Sequence, residues 1–489
     1  MMTELEHEYI KVICEIYPNL ATVLGIPKCG YNDFTVIGIK NDISKLEQLL
    51  EKVKSQDIET ETNMHLMNSL ELRIYELTSI VEYRYSAYYY YLMTIKSLLI
   101  VLENNDYYDN GINEKIIESR IREFPDVINK AICEMDQKEL SKLDLLYTLN
   151  LVKHDKILFE KTPNKMTQED KIKNIHFEIE HFLISLNSKI KDGTEKKIFS
   201  SWGPDKLVEY VTKITNWHIS YDYIKGLYKE AIDYIEDNVN LNLFEDKKNN
   251  NIQIDYSKEN LFELLQEIYS NCKSVFGEDA MLLSSIKFMD TKSDKHMFGD
   301  FQYIKVSLTN PNANSYLIYS SKNNINSIEQ LKLKIIHEIY PGHHYMNRCF
   351  GMENKENIYE LTRINPYIEE GWAKFCEYFY ANEIDLSSNM IECYKKSRLL
   401  MSIMFTIAID IHFNNKKFKE IHTKMIGKCG LTKDCINSMI LLLNVKPDKA
   451  FSYYIGYNYV TRYVNKNKSD KKLTNILNNM VKDPMSLSY

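Results

Sequence analysis

His337, Glu338, His343 and His344 fall within eight residues and include three of the chain's twelve histidines. The stretch from Leu333 to His344 places an apolar helical run before a His-Glu pair; Pro341 and Gly342 follow, then two more histidines. Imidazoles and carboxylates are the usual ligands of zinc in hydrolases, where three protein ligands leave a fourth position for water. A neighbouring carboxylate that does not ligate can serve as general base. The cluster therefore points to a metal-dependent hydrolase, and one Zn²⁺ per chain is the expected cofactor.

The spacing departs from the familiar HExxH pattern, in which two histidines four apart share a helical face. Position 341, where the second histidine would stand, is Pro. The next histidines lie six and seven residues beyond His337. On a straight helix the seven-residue offset returns to the same face, which favours His344. Pro341 and Gly342, however, break the helix, and a distorted turn could bring His343 round instead. Both stay open on spacing alone. The third ligand is expected from Glu369-Glu370-Gly371-Trp372-Ala373-Lys374-Phe375-Cys376-Glu377. Glu370 and Glu377 are seven apart and share a face. One of them can ligate while the other holds a ligand imidazole by its second nitrogen. The competing reading of any one of these glutamates is a solvated surface residue.

Elements that could position these groups are mostly helical. Ser327 and Gln330 form a candidate capping box for a helix that runs through Leu331, Leu333, Ile335 and Ile336 into His337. Helical patterning also covers Tyr367–Phe379, Ser388–Phe413, Thr432–Leu443 and Ala450–Val464. Upstream, helices are expected over Asp42–Gln56, Thr60–Val81, Glu82–Val101, Glu114–Arg122, Pro125–Met135, Gln168–Leu186 and Tyr221–Asn238. Glu278–Lys287 is read as helix too, and Asp246–Ile254 as an exposed loop. After Gly299 the pattern changes. Strand formers at 301–308, a turn cluster at Asn310–Asn314 and an apolar run Ser315–Tyr319 predict a β-hairpin just before the central helix. Such a strand can pair with an extended peptide or merely close one side of the core. The expected class is mainly α: one large zincin-like helical domain over 1–489, with a helical part at 1–200 and a catalytic part at 201–489.

Composition narrows the function classes. The 489 residues are 44% hydrophobic and 26% charged, with net charge -7, so no basic face for nucleic acid is expected. The apolar runs near Ala87–Leu102 and Leu399–Ile411 are too short or interrupted for a bilayer, and Lys96 and Asp410 sit in them. The nine cysteines are odd in number and include no CxxC, which fits a reducing compartment. Cytoplasmic is the expected location, with no membrane partner. No thiol, Cys14 and Cys376 included, is arranged with a base as a nucleophile would be.

The segment His337-Glu338-Ile339-Tyr340-Pro341-Gly342-His343-His344 resembles the signature of a large bacterial family, domain of unknown function 885. The stretches Tyr17–Ile26, Glu370-Gly371-Trp372-Ala373 with Glu377, and Pro447–Gly456 are similar to further motifs of that family, in the expected order. The resemblance implies a mostly helical, zincin-like, metal-dependent peptidase. It implies His337, His343 and Glu370 as metal ligands and Glu338 as the base. One departure is clear: Ala408 stands where the family usually has an aspartate four residues before the histidine matched by His412, and the nearby acid is Asp410.

On this reading the substrate is a short peptide or other amide. Tyr453 is the candidate donor to the tetrahedral intermediate, with His344 or His412 able to share that role. Arg398 could bind a substrate carboxylate in the manner of a carboxypeptidase or dipeptidase, or satisfy a buried helix end. The alternatives are an amide hydrolase acting on something other than a peptide, and a non-catalytic metal-binding or interaction protein on the same fold.

Overall fold

The computed structural model describes residues 2–56, 61–80, 86–103, 110–161, 169–192, 201–243, 256–279, 281–290, 301–304, 314–321, 325, 327–363, 365–468 and 472–484. It is 77% helical with one small three-stranded sheet, so the protein is mainly α with a minor β element. The chain forms two compact units, Met1–Asn216 with Glu356–Thr362, and Trp217–Lys355 with Arg363–Tyr489. No helix among the described residues is long and apolar enough to cross a membrane.

The first unit is built of amphipathic helices that start on side-chain caps. Thr3 and Glu6 form a reciprocal capping box for Glu4–Ile16, and Thr35 caps Val36–Lys54. Tyr88, Tyr89, Tyr90 and Tyr91 are all buried, and the Asp144 carboxylate accepts from the Ala87 and Tyr88 amides at the start of their helix. The segments expected as Glu114–Arg122 and Pro125–Met135 are one helix, Asn110–Asp136, with Pro125 inside it. Buried Phe124 and Ile128 flank that proline and anchor the helix through the missing donor.

The second unit contains all of the candidate chemistry. Its sheet has the order β1-β3-β2, with β1 (Ile286–Asp290) parallel and β2 (Phe301–Ile304) antiparallel to the central β3 (Ser315–Tyr319). Tyr303 is in register with Leu317. The antiparallel pair expected before the central helix is present, while residues 305–313, with most of its turn, lie outside the described ones, as does the expected loop at 246–254. Glu278–Lys287, read as helix, is instead a turn leading into β1. Pairing with β3 supplies the hydrogen bonds that so short a segment could not satisfy as an isolated helix.

Three helices carry His337, Glu338, Glu370 and Tyr453. Ile328–Glu338 starts on Ser327, whose side chain accepts from the Gln330 amide. Leu331, Leu333, Ile335 and Ile336 are buried along it, each contributing roughly 1.5–3 kcal/mol of transfer free energy. Pro366–Phe379 starts on Asn365, which accepts from the amides of Tyr367 and Ile368. Pro447–Asn467 packs against it backbone to backbone at Gly371 and Gly456. A Cβ on Gly371 would lie 2.4 Å from the Gly456 carbonyl carbon, and one on Gly456 would lie 2.0 Å from the Tyr367 carbonyl oxygen. Only glycine permits that approach.

Candidate metal centre

The helix that begins at Ile328 ends at Glu338, and a new one runs over His343–Asn354. The chain folds back so tightly between them that a Cβ on Gly342 would lie 1.9 Å from the His337 carbonyl oxygen. The Trp372 indole donates to the Pro341 carbonyl at 2.8 Å and ties this break to the Pro366–Phe379 helix. The result is that the rings of His337 and His343 meet edge to face, with centroids 4.8 Å apart.

Glu370 completes the group. Its Oε2 lies 3.3 Å from His337 Nε2 and 3.3 Å from His343 Nε2. The donor atoms of the three residues all lie within 4.8 Å of one another. Glu370 Oε2 is buried and meets neither imidazole in hydrogen-bond geometry. A buried carboxylate oxygen left without a hydrogen bond, facing two imidazole nitrogens, is what a cation site requires. The two carboxylate–imidazole separations fit as well: ligands about 2.0–2.1 Å from a tetrahedral zinc stand about 3.3–3.4 Å from each other. Two imidazoles and one carboxylate form a recognised catalytic zinc donor set.

A shell of hydrogen bonds orients these ligands. Glu377 Oε1 lies 2.7 Å from His337 Nδ1 and also accepts from Lys374 Nζ at 2.8 Å. Its Oε2 accepts from the Ser397 hydroxyl at 2.6 Å. Glu370 thus faces the ring nitrogens that point into the site, and Glu377 holds the opposite nitrogen of His337. Burial alone would raise both carboxyls. For Glu370, Lys449 and the two imidazoles outweigh burial and hold it well below the usual range; for Glu377, Lys374 and His337 do so. Burial would likewise lower His337, but Glu370 and Glu377 raise it.

Glu338 follows His337 directly. Its Oε2 accepts from the Tyr303 amide on β2 at 3.1 Å. Among the described residues β2 pairs only with β3, and this amide points from the other edge of the strand toward the end of the central helix. Tyr453, three residues before Gly456, lies beside His337 with ring centroids 6.0 Å apart. Burial, with Glu370 nearby, keeps its phenol protonated by raising its pKa. Lys374 and Lys449 place their ammonium groups 5.5 and 4.8 Å from the Tyr453 ring.

The remaining expected residues lie elsewhere in this unit. His344 is fully buried and turned away from the three donor atoms. Its Nε2 is 2.9 Å from the Ser285 hydroxyl and its Nδ1 is 3.3 Å from the Tyr303 hydroxyl. Burial, aided by Arg348, lowers its pKa to about 3. His344 is therefore a neutral structural group that supports Tyr303. His412 is also fully buried, its Nε2 sits 2.8 Å from the Leu443 carbonyl oxygen, and burial lowers its pKa to about 4. Its ring nitrogen is committed to that carbonyl and not directed at a substrate. The Arg398 guanidinium lies over the Tyr234 ring at 4.2 Å. Ala408 is buried, and Asp410 is clamped by Tyr228, Lys416 and Lys424. Tyr303, Lys374, Ser397 and Lys449 carried no motif that marked them as site residues. Only the spacing of Lys374 and Glu377, one helical turn apart, hinted at a pair.

No family model matches the chain, and no curated protein matches it. Solved structures do. A protein from Colwellia psychrerythraea described as a "putative lipoprotein" superposes with a TM-score of 0.74 over 99% of this chain and 97% of its own, at 13% identity. A Shewanella oneidensis protein, described as a "putative lipoprotein of unknown function", gives 0.66 over 99% and 98%, also at 13% identity. The chain shares its fold with these proteins along nearly its whole length.

Proposed function

We propose that this chain is a zinc-dependent hydrolase of amide bonds, acting on short peptides in the manner of a carboxypeptidase or dipeptidase, and that it belongs with the domain of unknown function 885 proteins it resembles. The observation that carries the reading is the convergence of His337 Nε2, His343 Nε2 and Glu370 Oε2 around an unbonded carboxylate oxygen, with a further glutamate adjacent in sequence. Zinc held by these three ligands would supply Lewis acidity and a water that ionises near neutral pH. Glu338 takes a proton from the attacking water and returns it to the leaving amine. The Tyr303 amide fixes the orientation of Glu338. Tyr453 donates its phenolic proton in a hydrogen bond to the oxyanion. Glu377, Lys374 and Ser397 keep the His337 ring aimed at the site. The open edge of β2 offers backbone groups next to Glu338 for an extended substrate.

Metal content of the purified chain, together with hydrolysis of a panel of short peptides with free and blocked ends, tests the reading. The expected result is about one zinc per chain, and a Glu338→Gln variant that keeps the metal and loses hydrolysis. A metal-loaded protein that cleaves no peptide or amide overturns it and leaves a binding protein.

A further inference from the structure

Lys449 sits in the first turn of the Pro447–Asn467 helix, two turns before the glycine contact that pins this helix to its neighbour. That contact brings its ammonium 3.5 Å from Glu370 Oε1, the oxygen turned away from the histidines. It also lies over the Tyr453 ring.

Its partners do not exhaust it. The Lys449 side chain remains 40% exposed, whereas Glu370 is only 16% exposed. An ammonium has three donors, and the contacts to Glu370 and to the Tyr453 hydroxyl do not use all of them. The other nearby cation, Lys374, is 16% exposed and donates to both Glu377 and Ser397, so it is committed to orienting His337. Once a cation shares the charge of Glu370, the hold of that carboxylate on Lys449 weakens, and the half-exposed ammonium is open to another anionic partner. A lysine needed only to neutralise Glu370 would be redundant there.

We propose that Lys449 is a specificity-determining residue that binds a carboxylate of the substrate next to the scissile bond. This rests on the hydrolase reading above and narrows its substrate class to peptides with a negative charge at that point. The carboxylate comes from the free C-terminus or from an Asp or Glu side chain, and the two sources are separable.

The test uses the full-length, zinc-supplemented Glu338→Gln protein and reads binding by calorimetry. The probes are an N-acetylated dipeptide as free acid, the same dipeptide as C-terminal amide, and an amide with Asp in the second position. The expected result is roughly 10- to 100-fold tighter binding of a carboxylate-bearing probe than of the neutral amide, as for a charge-assisted hydrogen bond. Preference for the free acid identifies the C-terminus, and preference for the Asp amide identifies the side chain. Adding Lys449→Gln should remove the preference, and Lys449→Arg should retain most of it. Equal binding of all three probes, or a preference that survives Lys449→Gln, overturns the proposal. If the wild type hydrolyses nothing yet the preference exists and depends on Lys449, the hydrolase reading falls and the anion site stands.

Discussion

Glu377 Oε1 lies 2.7 Å from His337 Nδ1, on the side of the ring opposite Glu370. This single contact fixes the tautomer of His337, with the proton on Nδ1 and the Nε2 lone pair aimed at the site. Glu377→Gln should therefore weaken zinc affinity by roughly 10- to 100-fold without removing a ligand. Competition against a chelator of known affinity measures it, and an unchanged affinity would mean that this contact does not tune the ligand.

The two adjacent histidines should behave oppositely. His343→Ala is expected to lose the metal, because its Nε2 faces Glu370. His344→Ala should keep it but unfold at lower denaturant, by about 1–3 kcal/mol, since it removes two buried hydrogen bonds, to the Ser285 and Tyr303 hydroxyls. Metal analysis and urea melts on the same samples separate the two roles.

Glu338→Gln and Tyr453→Phe should both retain zinc. The first is expected to reduce kcat about 10²- to 10⁴-fold as a lost general base. The second should reduce it by a smaller factor, up to about 10³-fold, as one lost oxyanion donor. A Tyr453→Phe variant with unchanged kcat would return that residue to the packed core.

Stability should fall as pH drops from about 6.5 toward about 4, in part through His412. Its folded pKa is lowered to about 4 by burial, against an unfolded value of about 6.5. In that window the unfolded chain binds a proton that the folded one refuses, so the contribution is present above the unfolded pKa and lost on acidification. The magnitude for a fully buried imidazole is on the order of 3 kcal/mol. His412→Gln, whose amide can still donate toward the Leu443 carbonyl, should flatten the profile of urea midpoint against pH in this range.

Zinc affinity should weaken on acidification too, since both imidazoles must be neutral to ligate. Zinc titrations at successively lower pH should therefore show proton uptake on metal release, and a pH-independent affinity would contradict the His337–His343–Glu370 assignment.

Much of this protein was legible in the residue order. Period-3.6 patterning and the Ser327 cap marked the helices, because those signals act within a few residues of themselves. The run from His337 to His344, and the pairing of Glu370 with Glu377 on one face, marked where a cation could be held. The strand β1 was not legible, since its hydrogen bonds go to β3, some 30 residues away. Spacing also left His343 and His344 equivalent. Tertiary structure separated them, through a fold-back at Gly342 that turns His343 toward Glu370 and sends His344 into the core against Ser285. Likewise Lys449 reaches Glu370 only because helices distant in sequence meet at Gly371 and Gly456, and Ser397 reaches Glu377 from another helix, Ser388–His412. Local chemistry is written along the chain, but which side chains share a cavity depends on packing between elements, and that exists only once the chain has folded.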